Sequence, residues 1–246
     1  MRNLELIAIS DIYGDIDLVK QLAERLPSNV VGQRVIVVAG DIGVSVDLTY
    51  SETVTRIFQI LKGKAQHVLF VPGETDSNEM SIQLSNVTNL DKQSLVINVD
   101  GMRLGFIGLG GAPKHSVREG ERFPYLWDEN IEIVRQGLAT SLKMNLEKAM
   151  LEHPDYLILV THSPPYGVAD YWTTITLNEM AVLQEMSEEI LEVLPPEESQ
   201  GKEQQQTRRR GSPKKLGSHM LREFADYYKP DIHIFGHIHK QGGTVN

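Results

Sequence analysis

The sequence predicts an α/β protein built on parallel strands. Short β-branched apolar runs recur along the chain, and each ends in a loop bearing a carboxylate or a histidine. The early runs are each followed by residues at helical spacing. Repeated β–loop–α units imply parallel strands joined by right-handed crossovers. The clearest run is Val35–Ala39, which stops at Gly40-Asp41-Ile42-Gly43. A short apolar run bounded by glycine reads as a strand buried on both faces. Open α/β sheets put their chemistry just beyond the carboxyl ends of such strands, where Asp41 stands. For that residue by itself, a turn or helix cap is the alternative.

The first element is the apolar run Leu4–Ser10, a strand leading into Asp11-Ile12-Tyr13-Gly14-Asp15. Ile16, Val19, Leu22, Ala23 and Leu26 then follow a helical period, and Pro27 ends that helix. After the central strand, Thr49-x-x-Glu52 has the form of a capping box. Val54, Ile57, Phe58 and Leu61 make one stripe of the helix it would open. His67–Pro72 is a third strand, ending in Gly73-Glu74-Thr75-Asp76. Ser94–Val99 and Arg103–Gly108 are strands joined by Asp100-Gly101, a strong hairpin signal. Lys114–Tyr125 is an irregular loop carrying Lys114, His115, Arg118 and Arg122, candidates to hold a phosphate; solvated surface is the plainer reading. Asp128 stands where it would cap a helix with Ile131, Val134 and Leu138 on one face, and helical residues continue to about Leu151. Tyr156–Val160 is another buried strand, ending in Thr161-His162.

Met180–Leu194 reads as a helix. Pro195–Lys215 fits no element, so a mobile insertion is expected at about 195–216 within one domain spanning 1–246. The basic end of that insertion is a candidate for phosphate or RNA contact, although a solvated loop is the simpler account. Ser218 can cap a last helix with Leu221, Phe224, Ala225 and Tyr228 inward. Asp231–Phe235 is the final strand, ending in Gly236-His237-Ile238-His239.

The 246 residues include no cysteine, which excludes disulfides, thiolate metal sites and a cysteine nucleophile. A net charge of −9 argues against attraction of the whole surface to duplex nucleic acid or acidic lipid. No apolar run approaches the roughly 20 residues that span a bilayer. The first strand begins almost at Met1, leaving no room for a signal peptide, so a cytoplasmic location is expected.

Asp11, Asp41, Glu74, His162, His237 and His239 all fall at predicted strand ends. Carboxylate oxygens and imidazole nitrogens are the ligands of Mn, Fe and Zn sites. Three carboxylates gathered without a cation would repel one another. One or two divalent ions are therefore expected, with His237 and His239 alternating along an extended backbone to serve one ion each.

The order of these blocks resembles the calcineurin-like metallophosphoesterase family. The resemblance covers nearly the whole chain, from Asp11-Ile12-Tyr13 through Gly40-Asp41, Gly73-Glu74-Thr75-Asp76 and Thr161-His162 to Gly236-His237-Ile238-His239. It implies two packed mixed β-sheets flanked by α-helices, with two metal ions between the sheet ends. It also implies that Asp11 and His239 hold one metal, that Glu74, His162 and His237 hold the other, and that Asp41 bridges them. The implied reaction is hydrolysis of a phosphomonoester or phosphodiester, with a small phosphate ester or nucleotide as substrate. The chain departs from the family at three positions. Tyr13 stands where the family has a ligating His, so it either coordinates through its oxygen or closes that site. Glu74 replaces the usual Asn ligand, and Thr75 replaces the His that protonates the leaving oxygen. Asp15 and Asp76 are alternative ligands or proton donors. A catalytically decayed binding module is the competing expectation.

Overall fold

A computed structural model of the chain describes residues 4–77, 80–117, 123–172 and 214–238. Two compact units divide the chain: Met1–Asp170 with Lys215–Asn246, and Tyr171–Lys214. The first unit carries two four-stranded sheets. One holds β1 (Glu5–Ile9), β2 (Arg34–Ala39), β3 (His67–Val71) and β4 (Val87–Asn89) in that spatial order, with every neighbouring pair parallel. The other runs β12 (Ile232–Ile234), β9 (Tyr156–Thr161), β6 (Met102–Leu109) and β5 (Ser94–Val99). Only its β5–β6 pair is antiparallel. The expected pair of mixed sheets is thus one wholly parallel sheet and one mixed sheet.

Three apolar clusters define four layers. Val35, Val37, Ala39, Leu69 and Val71 of the first sheet meet Leu104, Phe106, Ile158 and Val160 of the second, forming the seam between them. The opposite face of the first sheet, through Ile36, Val38, Val68 and Phe70, packs on helices α1 (Ile16–Arg25) and α2 (Tyr50–Lys62). The outer face of the second sheet packs on α3 (Glu132–Met150) and α4 (His219–Tyr228) through Ile107, Leu109, Leu157, Leu159, Leu142, Leu146, Leu221 and Phe224. All six residues of β2 are buried, as expected of a strand covered on both sides. Burying each large apolar side chain stabilises by about 1.5–3 kcal/mol.

Several local expectations change. Thr49 is the N-cap of α2, but its side chain makes no capping bond. Asp128 does not cap α3; Ile131 is the N-cap residue, and Asp128 Oδ1 accepts from Asn130 N at 3.1 Å within the preceding turn. The helical residues after it form one continuous helix. Ser218 does cap α4, accepting from Leu221 N at 3.2 Å. Asp100 and Gly101 both take positive φ, as the hairpin between β5 and β6 demands. Short strands β4, β7 (Ala112–Pro113) and β8 (Leu126–Trp127) lie in segments where the sequence carries no clear period. The second unit holds β10 (Tyr171–Trp172) and begins β11 (Lys214–Lys215), which together form a two-stranded sheet. The expected helix Met180–Leu194 and most of the expected insertion lie outside the described residues.

Candidate metal centre

The strand ends of both sheets meet. β1, β2 and β3 deliver Asp11, Asp41 and Glu74, while β9 and β12 deliver His162 and His237. The carboxylates therefore come from one sheet and the imidazoles from the other. Neighbouring loops are laced by backbone bonds: Asp11 N to Gly40 O at 3.0 Å, Tyr13 N to Asp41 O at 2.9 Å, Ser45 N to Thr75 O at 2.9 Å and Gly236 N to His162 O at 3.0 Å. Asp11, Tyr13, Asp41 and His237 all take positive φ, a conformation that costs a non-glycine residue energy and that clusters at functional sites. Close approach is possible because Gly40 and Gly73 lack side chains. A Cβ on Gly40 would lie 2.2 Å from His162 Nδ1, and one on Gly73 would lie 2.0 Å from Asp41 Oδ1.

Two groups of donors converge. Glu74, His162 and His237 form one, and Asp11, Asp41 and His162 form the other, with ligand atoms in each within 4.8 Å of one another. His162 Nδ1 donates to Ala39 O at 2.7 Å, which fixes the tautomer and turns Nε2 toward the carboxylates. That Nε2 stands 2.5 Å from Glu74 Oε2 and 3.6 Å from Asp41 Oδ1. Glu74 Oε1 is 3.0 Å from His237 Nδ1, so one carboxylate spans both imidazoles. His237 N donates to both oxygens of Asp11 at 3.2 Å.

The donor set fits a cation. Asp41 Oδ2 and His237 Nε2 are buried without a hydrogen bond among the described residues, and Glu74 Oε2 and His162 Nε2 meet only each other, at 2.5 Å. Buried polar atoms are rarely left unpartnered, and two beside a close carboxylate–imidazole contact suit an ion. The charges respond to this crowding. Burial raises the Asp41 carboxyl, with Glu74 adding to the rise and His162 opposing it. Burial would also raise Glu74, but His162 and His237 outweigh it and hold that carboxyl well below its ordinary range. Burial would lower His162, yet Asp41 and Glu74 carry it well above the usual imidazole value. A proton on His162 thus does part of the work a cation would do.

The other expected site residues fall as follows. Tyr13 is 37% exposed, and its phenol bears on Asp41; burial first, then the Asp41, Glu74 and Asp11 charges, push it well above the ordinary tyrosine value. Thr75 N and Oγ1 approach Asp41 Oδ1 at 3.0 and 2.9 Å, and Oγ1 also lies 2.8 Å from Gly43 O, so its single hydroxyl proton is engaged within the loops. Asp76 is fully buried, and its two oxygens accept from Ile42 N, Gly43 N, Gly73 N and Tyr50 Oη at 2.9–3.2 Å. Burial, opposed by those backbone donors, holds the Asp76 carboxyl at about 6. It ties the Asp41 loop to the Glu74 loop. Asp15 caps α1, accepting from Leu18 N at 2.9 Å. Lys114 Nζ lies 3.9 Å from Asp128, and the His115 ring is held between Gly217 O at 3.1 Å and Glu129 at 3.6 Å. His239, Arg118 and Arg122 lie outside the described residues. Sequence reasoning missed Tyr50, which joins Asp76 to Ser77 N; its phenol looks like any other aromatic at the start of a helix.

A pair of packed sheets presenting carboxylates from one and imidazoles from the other makes a candidate metal-binding site. The sequence model of the calcineurin-like phosphoesterase family matches residues 4–241, and the chain belongs to that family, whose members use divalent metals. Among solved structures, the chain is similar to TT1561 of Thermus thermophilus, at 14% identity and TM-score 0.55, covering 95% of this chain and 81% of that one. It also matches the phosphopantetheinyl hydrolase PptH from Mycobacterium tuberculosis at 18% identity and TM-score 0.41, covering 66% and 69% of the two chains. A 5′-nucleotidase precursor from Thermus thermophilus matches at 10% identity and TM-score 0.36, covering 65% of this chain and 37% of that one. At these identities the likeness speaks for the fold, and the first structure carries it. A comparison with curated protein sequences gives no match. No helix among the described residues is long and apolar enough to cross a membrane.

Proposed function

We propose that the chain hydrolyses phosphomonoesters or phosphodiesters, using one or two divalent cations held by Asp11, Asp41, Glu74, His162 and His237, with His239 as a further ligand. The observation that carries this reading is the convergence of two groups of carboxylate and imidazole donors at one largely buried point. When bound, such cations supply Lewis-acid neutralisation of the phosphoryl charge and acidify a water. The chain's own residues then orient that chemistry. Ala39 O sets the tautomer of His162, His237 N holds the Asp11 carboxylate, and Thr75 fixes one oxygen of Asp41 while the other faces the centre. Manganese is our choice for assay because oxygen-rich sites suit it.

Activity is expected to be narrow or slow. Thr75 Oγ1 engages Asp41 and Gly43 O, so it has no proton to offer a leaving oxygen. Loss of a general acid typically costs 10²–10⁴ in rate. This favours esters whose leaving groups depart without protonation, so rates on aryl phosphodiesters should rise steeply as the phenol becomes more acidic. The test is turnover of bis(p-nitrophenyl) phosphate by manganese-loaded protein and by Asp41→Ala. Manganese-dependent turnover abolished by the substitution is the expected result. Absent turnover, together with absent metal by elemental analysis, would favour the second reading, a decayed phosphoesterase that binds a partner. Tyr13 and Thr75, which replace a ligand and the acid together, are what favour that reading.

A further inference from the structure

Tyr50 opens α2 and continues its apolar stripe. Tyr50, Val54, Ile57, Phe58 and Leu61 recur at helical spacing and pack into one cluster with the first sheet. Burial of the ring alone would be served by phenylalanine or leucine. What tyrosine adds is a hydroxyl, and that hydroxyl reaches out of the core into the loops of the metal centre. It donates to Asp76 Oδ1 at 3.2 Å and accepts from Ser77 N at 3.0 Å. The ring lies against Gly43, where an added Cβ would stand 2.9 Å from Tyr50 Cδ2 and Cε2. Thr49, the N-cap residue, makes no side-chain capping bond, so the phenol supplies a tie at the start of α2 that the cap does not.

Asp76 passes that tie on. It is fully buried and accepts from Ile42 N, Gly43 N and Gly73 N at 2.9–3.0 Å. Ile42 and Gly43 directly follow Asp41, and Gly73 directly precedes Glu74. A cation drawing on Asp41 and Glu74 needs those two loops at one separation, and the Asp76 carboxylate with the Tyr50 hydroxyl spans the gap. Hydrogen bonds in such a buried network strengthen one another, so loss of one donor loosens the rest. We propose that the Tyr50 hydroxyl is a positioning group of the metal centre. Through Asp76 it sets the separation of the Asp41 and Glu74 loops, and so the affinity of the centre for cations. By linkage the dependence runs both ways, and a filled centre steadies the first turn of α2. This rests on the reading of the strand ends as a cation site.

Tyr50→Phe removes the hydroxyl and leaves the ring on Gly43. Calorimetric titration with manganese should give this variant the wild-type stoichiometry and a Kd raised about 10-fold, the usual consequence of losing a group that orients metal ligands from behind. Ile57→Val is the control. It trims the same apolar stripe at a fully buried position, and should lower the urea midpoint while leaving the manganese Kd within about 2-fold of wild type. Hydrogen exchange followed by mass spectrometry gives the reciprocal measurement. Saturating manganese should slow exchange across residues 43–53 several-fold in wild type and much less in Tyr50→Phe. An unchanged Kd in Tyr50→Phe, an equal loss in Ile57→Val, or equal slowing of exchange in wild type and Tyr50→Phe overturns the proposal and leaves the cation site standing. Absent manganese binding by wild type removes the cation site itself, and the proposal with it.

Discussion

Gly73 illustrates how little room the centre leaves. A Cβ there would lie 2.0 Å from Asp41 Oδ1 and 2.3 Å from Asp41 N, the second being backbone that cannot swing aside. Gly73→Ala must therefore part the Asp41 and Glu74 loops. We expect that variant to lose its bound metal and about 1–3 kcal/mol of stability, read by elemental analysis and denaturant melts. Metal loading should also depend on pH in a definite direction. The His162 proton, stabilised by Asp41 and Glu74, competes with a cation for Nε2. Cation affinity should fall as pH falls, and binding should release protons, seen as a buffer-dependent calorimetric enthalpy.

At the level of single elements, two residues that look alike in sequence behave differently. Ser218 and Thr49 are both hydroxyl residues at helix starts. Ser218 accepts from Leu221 N and donates to the buried Glu129 at 2.7 Å, whereas Thr49 makes no capping bond. Ser218→Ala should cost about 1–2 kcal/mol, and Thr49→Ala less than about 0.5 kcal/mol, in urea unfolding. The contrast marks how far local pattern reaches. The capping-box signature at Thr49-x-x-Glu52 is satisfied by residue type, but whether the hydroxyl turns inward depends on how the chain enters the helix. Strand runs are easier to read, since Val35–Ala39 and Val68–Val71 are continuously apolar because both their faces are covered. β4, β7 and β8 have three or fewer residues each, too few to carry a period.

For the whole molecule, pH stability should carry the signature of His233. Its Nε2 lies 2.9 Å from Thr161 Oγ1, and burial pushes its imidazole down to about 3. The unfolded chain binds that proton near the ordinary value of about 6.5, so unfolding takes up a proton between those limits. The stability His233 contributes is fully present above pH 6.5 and declines as pH falls toward 3. One whole proton would give about 1.4 kcal/mol per pH unit; His233 keeps some exposure, so the observed slope should be smaller. His233→Gln should flatten the dependence of the urea midpoint on pH across that range. Added manganese should raise the melting temperature of the whole fold, because ligands from both sheets bind only when the sheets are packed, and a chelator should reverse it.

The sequence by itself determined the α/β class, the main strands, and the strand-end residues that carry chemistry. These rest on side-chain period and turn residues, which act within a few positions of one another. Tertiary structure alone decided how those residues are used. Asp76 and Glu74 stand two apart in the same loop, yet Asp76 turns to the backbone of the Asp41 loop and Glu74 to His162 and His237. Such choices are made between groups tens to hundreds of residues apart, and their energies exist only once the two sheets have packed and the loops have met.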